Sequence, residues 1–455
     1  MCPSLFGHPN SPLTQRCLGP VLQQLDGLLT TPRAPQELLQ PRPIRRRQRL
    51  YPLAVTLKMF LTQCLSDDPS CRTAVATAKE RGWVPQAASP DTGAYCRARD
   101  HLSPSGLAAL VERTGSALEN VCQPEQRWRG RRVRVVDGTG ITLPDTPHNQ
   151  AAYPQPSQQA PGCGFPVLKL VALMSLTTGA LVHYTCGTLT DHDQPLFHRL
   201  WPALASGDVV LGDRLFGSFA TMALLSQRGI DLVVRRHAGR KERPGKCLGK
   251  GDKLVEWTTT PRPPWLDPTI PLPKTLRVRE VHFEVTRPGF RAKTIILATT
   301  LLDALCYPRE ALAELYLQRW DMELWLRHIK TTLGMEMLRT KTPPRIAAEL
   351  AMFLVGYNLI RTVRLDAAQE AQVPLRRVSF NSALVRVRLW GARLCHPTAV
   401  KLCLGDYIRL LDDLARDLNP DRPGRVEPRV VKRRPKPFPW LQQPRKVLRE
   451  ALLQA

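Results

Sequence analysis

The stretch "DVVLGDRLFGSFATMALLSQRG", residues 208–229, decides the fold. It opens on an apolar run that reads as a short strand ending at Asp213. A turn follows, then a helical pattern stopped by Gly229, a residue that closes helices because it enters left-handed backbone without strain. Upstream, "RRVRVVDGTGITLPD" (131–145) reads as a strand ending at Asp137 with a glycine-containing turn after it. "FPVLKLVALMSLTTGALVHYTCGTL" (165–189) reads as two strands joined at Thr177-Thr178-Gly179. "DQPLFHRLWPALA" (193–205) reads as a helix and "DLVVRRH" (231–237) as another strand. Three strands, helix, strand, helix, strand is an α/β order, a sheet with helices packed on it.

Around this core the 455 residues fall into further segments. Residues 1–125 are expected to be a helical domain. The apolar spacing in "GPVLQQLDGLL", "YPLAVTLKMFLTQCL", "CRTAVATAKERG" and "PSGLAALVERTGSALENVC" is helical throughout. Two basic features sit in it: the proline-broken run "PRPIRRRQR", and "YCRARDHLS", which sets Arg97 and Arg99 beside Tyr95. A basic helical domain suits docking on DNA phosphates. An arginine-rich helical surface with no such role is the plainer reading of the same residues. The core spans 126–340 and carries a β-rich insertion at about 238–300, with a hairpin around Pro288-Gly289. Residues 341–420 read as C-terminal helices and 421–455 as a basic tail, proline-broken over 422–440 and extended or disordered when free.

The charge narrows the partner. There are 65 Lys plus Arg against 39 Asp plus Glu, a formal charge of +26 and a pI near 10.1. Such an excess points to a polyanion, usually nucleic acid. A membrane surface is the other anion, but no run of about 18 apolar residues was found, and "MCPSLFGHPNSPLTQ" lacks the features of a signal peptide. A cytoplasmic protein that meets DNA or RNA is expected. The twelve cysteines contain no CxxC pair and no zinc spacing, so most are expected to be small buried residues in a reducing compartment.

"ELYLQRWDMELWLRHIKTTLG" (314–334) reads as one amphipathic helix. At about 100° per residue, Tyr316, Arg319, Glu323 and Lys330 share one narrow stripe. Leu315, Met322, Leu326, Ile329 and Leu333 form the apolar stripe beside it. Read alone, the ladder is equally a solvated face on which Glu323 pairs with Arg319 or Arg327. The two strand-end aspartates change the balance. α/β folds build sites at strand ends, and neighbouring strands would set Asp137 and Asp213 side by side, although a strand-end Asp is by itself more often a turn former. Glu323 could complete a trio. Three carboxylates with no His or Cys suit hard cations, above all Mg²⁺ or Mn²⁺. Two such ions can drive substitution at a phosphodiester.

With these residues in place, the chain resembles the DDE-type insertion-sequence transposases, in the branch marked by Y-(2)-R-(3)-E-(6)-K. That signature is met in full at Tyr316, Arg319, Glu323 and Lys330. "VVDGTGITLPDT" at Asp137 and "LGDRLF" at Asp213 match the two earlier blocks. The resemblance implies a ribonuclease H-like catalytic core in which Asp137, Asp213 and Glu323 bind two Mg²⁺ ions. It implies cleavage at transposon ends by water, then attack of the freed 3′-hydroxyl on target DNA. Arg319 and Lys330 would then bind phosphates and Tyr316 would position the strand, while Arg214 is either a phosphate contact or a structural ion pair. The expected partners are terminal inverted repeats, target DNA and a second copy of the chain on DNA.

Weaker signals stay open. Asp145, Asp191 and Asp193 lie near the site in sequence, with helix capping the plainer role for the last two. His148, His192 and His328 are poor ligands for hard ions. "LPDTPHNQAAYPQPSQQAPG" either lies over DNA or is a surface loop. Trp257 and Trp265 either pack in the core or stack on an unpaired or flipped base, as the resemblance suggests. Two rivals remain: a catalytically idle DNA-binding relative acting as a repressor, and another metal-dependent nuclease. A small-molecule enzyme fits least, since no phosphate-cradling glycine loop is present.

Overall fold

The computed structural model describes residues 38, 50–285, 294–394, 400–420 and 441–454. "GPVLQQLDGLL", "PRPIRRRQR", the Pro288-Gly289 turn and the tail 422–440 lie outside the described residues. The chain divides into two compact units. Met1–Cys122, Thr331–Met335 and Pro344–Asp421 form a helical unit; Gln123–Lys330, Glu336–Pro343 and Arg422–Ala455 form the unit that holds the sheet. Helices before and after the core, read as separate segments, thus share one unit.

Nine strands make one sheet: β1 (Val133–Thr142), β2 (Val167–Ser175), β3 (Leu181–Thr188), β4 (Val209–Gly212), β5 (Asp231–Arg235), β6 (Gly245–Gly249), β7 (Asp252–Thr258), β8 (Thr275–Glu284) and β9 (Thr294–Thr299). Their order is β3-β2-β1-β4-β5-β9-β8-β7-β6. β1, β4 and β5 run parallel, with β2 antiparallel to β1 and to β3. This 3-2-1-4-5 order is ribonuclease H-like, as the resemblance implies. β4 is buried at every residue and β2 from Leu170 to Ser175, which is why both read as unbroken apolar runs rather than alternating ones.

Two helices, α6 (Asp193–His198) and α7 (Phe219–Gln227), pack on this sheet. Val136, Val171 and Leu173 meet Phe197, Phe216, Phe219 and Leu225 in one core. α7 is buried from Phe219 through Leu225, so it is apolar on all sides. The expected helix over 193–205 is shorter: α6 ends at His198 and a tight 3₁₀ turn covers Trp201–Ala203. The insertion is not a separate body. β9 pairs antiparallel with β5, and the same core continues to Trp257, Val278 and Ala298.

The helical unit contains α1 (Leu53–Leu65), α2 (Cys71–Glu80), α3 (Gly93–Arg99), α4 (Pro104–Asn120), α10 (Pro343–Glu370), α11 (Phe380–Leu394) and α12 (Val400–Arg416). Between these lie α5 (Pro147–Ala152), α8 (Arg309–Leu317) and α9 (Trp320–Arg327) of the sheet unit; α13 (Arg445–Gln454) is a helix the sequence did not suggest. Two expectations are corrected here. α10 has an 18-residue window of mean hydropathy 1.4, long and apolar enough to cross a membrane. Yet 94% of that window is buried inside the protein, and Asn358 within it donates to Val111 O at 3.3 Å and Thr114 Oγ1 at 3.1 Å. It is an interior helix. Among the eight described cysteines only Cys64 and Cys122 are buried, while Cys247 and Cys306 are exposed.

Candidate active site

The parallel register of β1 on β4 pairs Val133 with Val209 and Val135 with Leu211. Continued two residues further, the same register sets Asp137 alongside Asp213, whose charge is felt at Asp137. Each is also tied to the backbone that follows. Asp137 Oδ1 accepts the Gly138 N–H at 2.8 Å and Asp213 Oδ1 accepts the Leu215 N–H at 2.7 Å. Asp213 thereby caps a 3₁₀ turn over Arg214–Phe216. The turn closes tightly because of Gly212: a Cβ there would stand 3.0 Å from Phe216 Cβ. The expected strand end and turn at Asp137 are corrected: β1 runs on to Thr142 and pairs Asp137 with Ala172 of β2, so only Asp213 stands at a strand end and forms a turn. Burial pushes the Asp137 carboxyl up to about 6. The Gly138 N–H and the Arg319 charge oppose that shift, and the charges of Asp213 and Glu323 add to it. Asp213 and Glu323 thus both lie within electrostatic reach of Asp137.

The segment carrying Glu323 is not one regular helix, and this corrects the uniform stripe. α8 ends at Leu317. The Gln318 and Arg319 N–H groups then donate to Leu315 O and Tyr316 O, both at 3.1 Å, the tighter three-residue spacing of 3₁₀ geometry. α9 follows, and a π turn over His328–Thr332 carries Lys330. The apolar stripe nevertheless holds: Leu315, Met322, Leu326, Ile329 and Leu333 are all buried. A solvated face fails for Tyr316 and Arg319, which are 3% and 9% exposed. The Glu323 side chain is 51% exposed and Lys330 is half-buried.

Arg319 links the two elements. Its guanidinium stands 3.8 Å from Asp137 Oδ2 and 3.9 Å from Glu323 Oε1. It lies 5.3 Å from the Trp320 ring centroid and hydrogen-bonds the Tyr316 side chain. Burial raises the pKa of Tyr316, and the neighbouring Arg319 charge pulls the other way. The carboxylate set has only oxygen donors, which fits a hard divalent cation, and the repulsion felt at Asp137 is what such a charge would offset. Among the described residues, no three His, Cys, Asp or Glu side chains stand close enough to share one ion.

Several other expectations change. Asp191 does not cap α6; its Oδ2 accepts the Thr188 N–H at 2.6 Å and closes the turn after β3. Asp193 is the first residue of α6, pairs with Lys169 Nζ at 3.0 Å, and its Oδ1 would be 3.0 Å from a Cβ on Gly138. Lys169 is the residue sequence reasoning missed; its signal was a lone cation inside the apolar run of β2. Asp145 accepts from Gln150 Nε2 at 2.8 Å, within the loop after β1. That loop is built, with α5 inside it and Gln155 bonded to Gln159 O and Ala160 O. Arg214 and Arg97 are exposed. Arg99 is turned inward instead, its guanidinium 4.8 Å from the Phe60 ring and bonded to Gln63 Oε1 at 3.3 Å. Trp257 is 1% exposed and donates to Glu280 Oε1 at 3.3 Å, so it packs rather than stacks. Trp265 packs edge-on against Trp201 at 6.0 Å.

With this geometry described, comparison with known proteins is informative. Residues 128–359 match the family model described as "Transposase DDE domain". The chain is similar to "Transposase InsG for insertion sequence element IS4" of Escherichia coli strain K12, at 28% identity over 76% of this chain and 77% of that protein. It is also similar to "Putative transposase InsZ" of the same organism, at 26% identity over 30% of this chain and 46% of that protein. Among solved structures, the piggyBac transposase synaptic complex with hairpin DNA aligns with 89% of this chain and 87% of its own, at a TM-score of 0.45 and 11% identity.

Proposed function

The chain belongs to the transposase DDE domain family, and from that premise we propose that it is a cut-and-paste enzyme. It cleaves DNA at the ends of an insertion sequence and joins the freed ends to target DNA. The observation that supports this reading is the parallel register of β1 on β4, which ends at Val135 with Leu211, two residues before Asp137 and Asp213, with the charges of Asp213 and Glu323 both felt at Asp137.

In this reading Asp137, Asp213 and Glu323 hold two Mg²⁺ ions, or Mn²⁺ in their place. Bound there, such ions would supply Lewis-acid chemistry at a phosphodiester. The chain's own residues do the rest. Arg319, buried and fixed by Tyr316, offsets the charge of Asp137 and Glu323 and offers its remaining N–H groups to a DNA phosphate. Lys330 supplies a further phosphate contact. Water breaks the P–O bond at the element's end and leaves a 3′-hydroxyl. That hydroxyl then attacks a target phosphodiester, forming one P–O bond and breaking another, with no protein–DNA covalent intermediate. The helices over 50–122 dock on the terminal repeats, and two copies hold two ends together in the cytoplasm, on the chromosome.

The test is a cleavage assay on DNA carrying the ends that flank the chain's own gene, with Mg²⁺ or with EDTA. Metal-dependent cutting at the ends, lost in Asp213→Asn, is the expected result. Binding to those ends without cutting, in Mg²⁺ and in Mn²⁺ alike, would replace this reading with an idle DNA-binding repressor.

A further inference from the structure

A cavity of about 550 Å³ opens next to Asp213, between the turn that follows it, the segment joining β5 to β6 and the end of β7. Its rim is fixed to that turn, because Gln194 Nε2 donates to Leu215 O at 2.8 Å. Arg214, Arg240, Lys241 and Arg243 line it beside the hydroxyls of Ser218 and Thr258, and no Asp or Glu is among its lining residues.

The cations are held close together. Arg243 donates to Thr258 Oγ1 at 2.9 Å. Arg240 lies over the Trp257 ring at 3.7 Å, the distance of a close cation–π contact. Burial lowers the pKa of Arg240, and repulsion from Arg243 and Arg236 lowers it further against the single opposing charge of Glu280. Such crowding is relieved by an anion. The chemistry of the wall also says which part of a nucleic acid it would meet. Of the aromatic side chains at this wall, Phe219 is 1% exposed and Trp257 behind it is covered by Arg240, leaving the exposed His237 ring among charges and hydroxyls.

We propose that this cavity is a phosphate subsite, separate from the three carboxylates, which takes backbone phosphates of the DNA strand passing Asp213 without reading its bases. The proposal rests on DNA being the substrate. Its volume falls in the range of nucleotide-sized sites, and its position makes it the flank of the reacting centre.

The experiment measures affinity for a duplex against salt concentration, in EDTA so that nothing is cut, using the full chain. Lys241→Gln/Arg243→Gln removes two exposed charges; Lys241→Arg/Arg243→Lys keeps both. Each phosphate contact contributes about 0.9 to the slope of log affinity against log salt. The neutral variant is expected to lose about 1–2 from that slope on any duplex sequence, with the charge-preserving variant matching the parent. An unchanged slope in the neutral variant overturns the proposal. So does binding of inorganic phosphate or a mononucleotide that the neutral variant loses while its DNA slope stays at the parent value, since the cavity then serves a free phosphate. A parent chain whose DNA affinity ignores salt would instead sink the DNA reading itself.

Discussion

In the half of the sheet that carries Asp137 and Asp213, β1, β2 and β4 bury Val135, Val136, Leu173 and Val210 completely. In the half built by the insertion, β7 and β8 bury Asp252, Arg279 and Glu280 among their valines and Trp257. Arg279 is held by Asp252 Oδ2 at 2.5 Å and by Tyr307 O at 2.7 Å, and Glu280 takes Arg236 at 3.1 Å as well as the Trp257 indole. The difference lies in what each set of contacts specifies. Apolar packing is non-directional and insensitive to salt, which suits a platform that must hold two carboxylates in register. A buried ion pair adds little net stability but penalises wrong partners heavily. Charges of this kind fix which strand lies next to which at the outer edge of the sheet.

The largest effect should come at the acids gathered beside the platform, from Glu323 on α9. Glu323→Gln is expected to bind DNA as the parent does and to lose cleavage by roughly 10³-fold or more; a variant that cuts normally would remove Glu323 from the site. Next, Arg279→Leu strands a buried Asp252 and should cost about 3–5 kcal/mol in denaturant unfolding. Adding Asp252→Leu should recover much of that loss. A double variant as unstable as the single one would show that packing, not charge, holds the outer strands. The smallest effect is pH-dependent. Asp137 titrates near 6 in the folded chain, above its unfolded value of about 3.9. The folded state therefore holds the proton more tightly. That contribution is complete below about pH 4 and is lost as pH rises through 6, where the buried charge becomes a cost. Asp137→Asn, measured in EDTA, should then raise stability by ~2 kcal/mol at pH 8 and change little at pH 4. Equal shifts at both pH values would contradict the burial of Asp137.

Much of the platform was legible in the sequence. Buried parallel strands leave unbroken apolar runs, and the end of β4 before Asp213 could be read directly; β1 runs five residues past Asp137, to Thr142, because β2 pairs with it along its polar half. The helix carrying Glu323 was legible in its apolar stripe but not in its path. The tightening at Gln318–Arg319 and the π turn at His328–Thr332 are set by tertiary packing, and no glycine or proline marks them. Local patterns also could not show that Arg99 folds inward onto Phe60, since an arginine near aromatics looks the same whether it faces solvent or core. Asp193 failed for a related reason. A capping role is inferred from position alone, whereas its neighbour Gly138 comes from a strand far away in the chain. α10 was missed as an apolar run because Glu349 and Arg361 interrupt it, and its burial is a property of the helices around it.

One consequence of the β1–β4 register concerns the order of synthesis. β1 and β4 are made early, and the insertion strands β6 to β9 must all be translated before α9 delivers Glu323. A chain cut short anywhere in the insertion holds the paired aspartates and not the glutamate. If the trio is the cutting centre, an unfinished copy still on its ribosome beside the DNA is harmless to the genome that encodes it, and the power to break DNA arrives only with the last third of the protein.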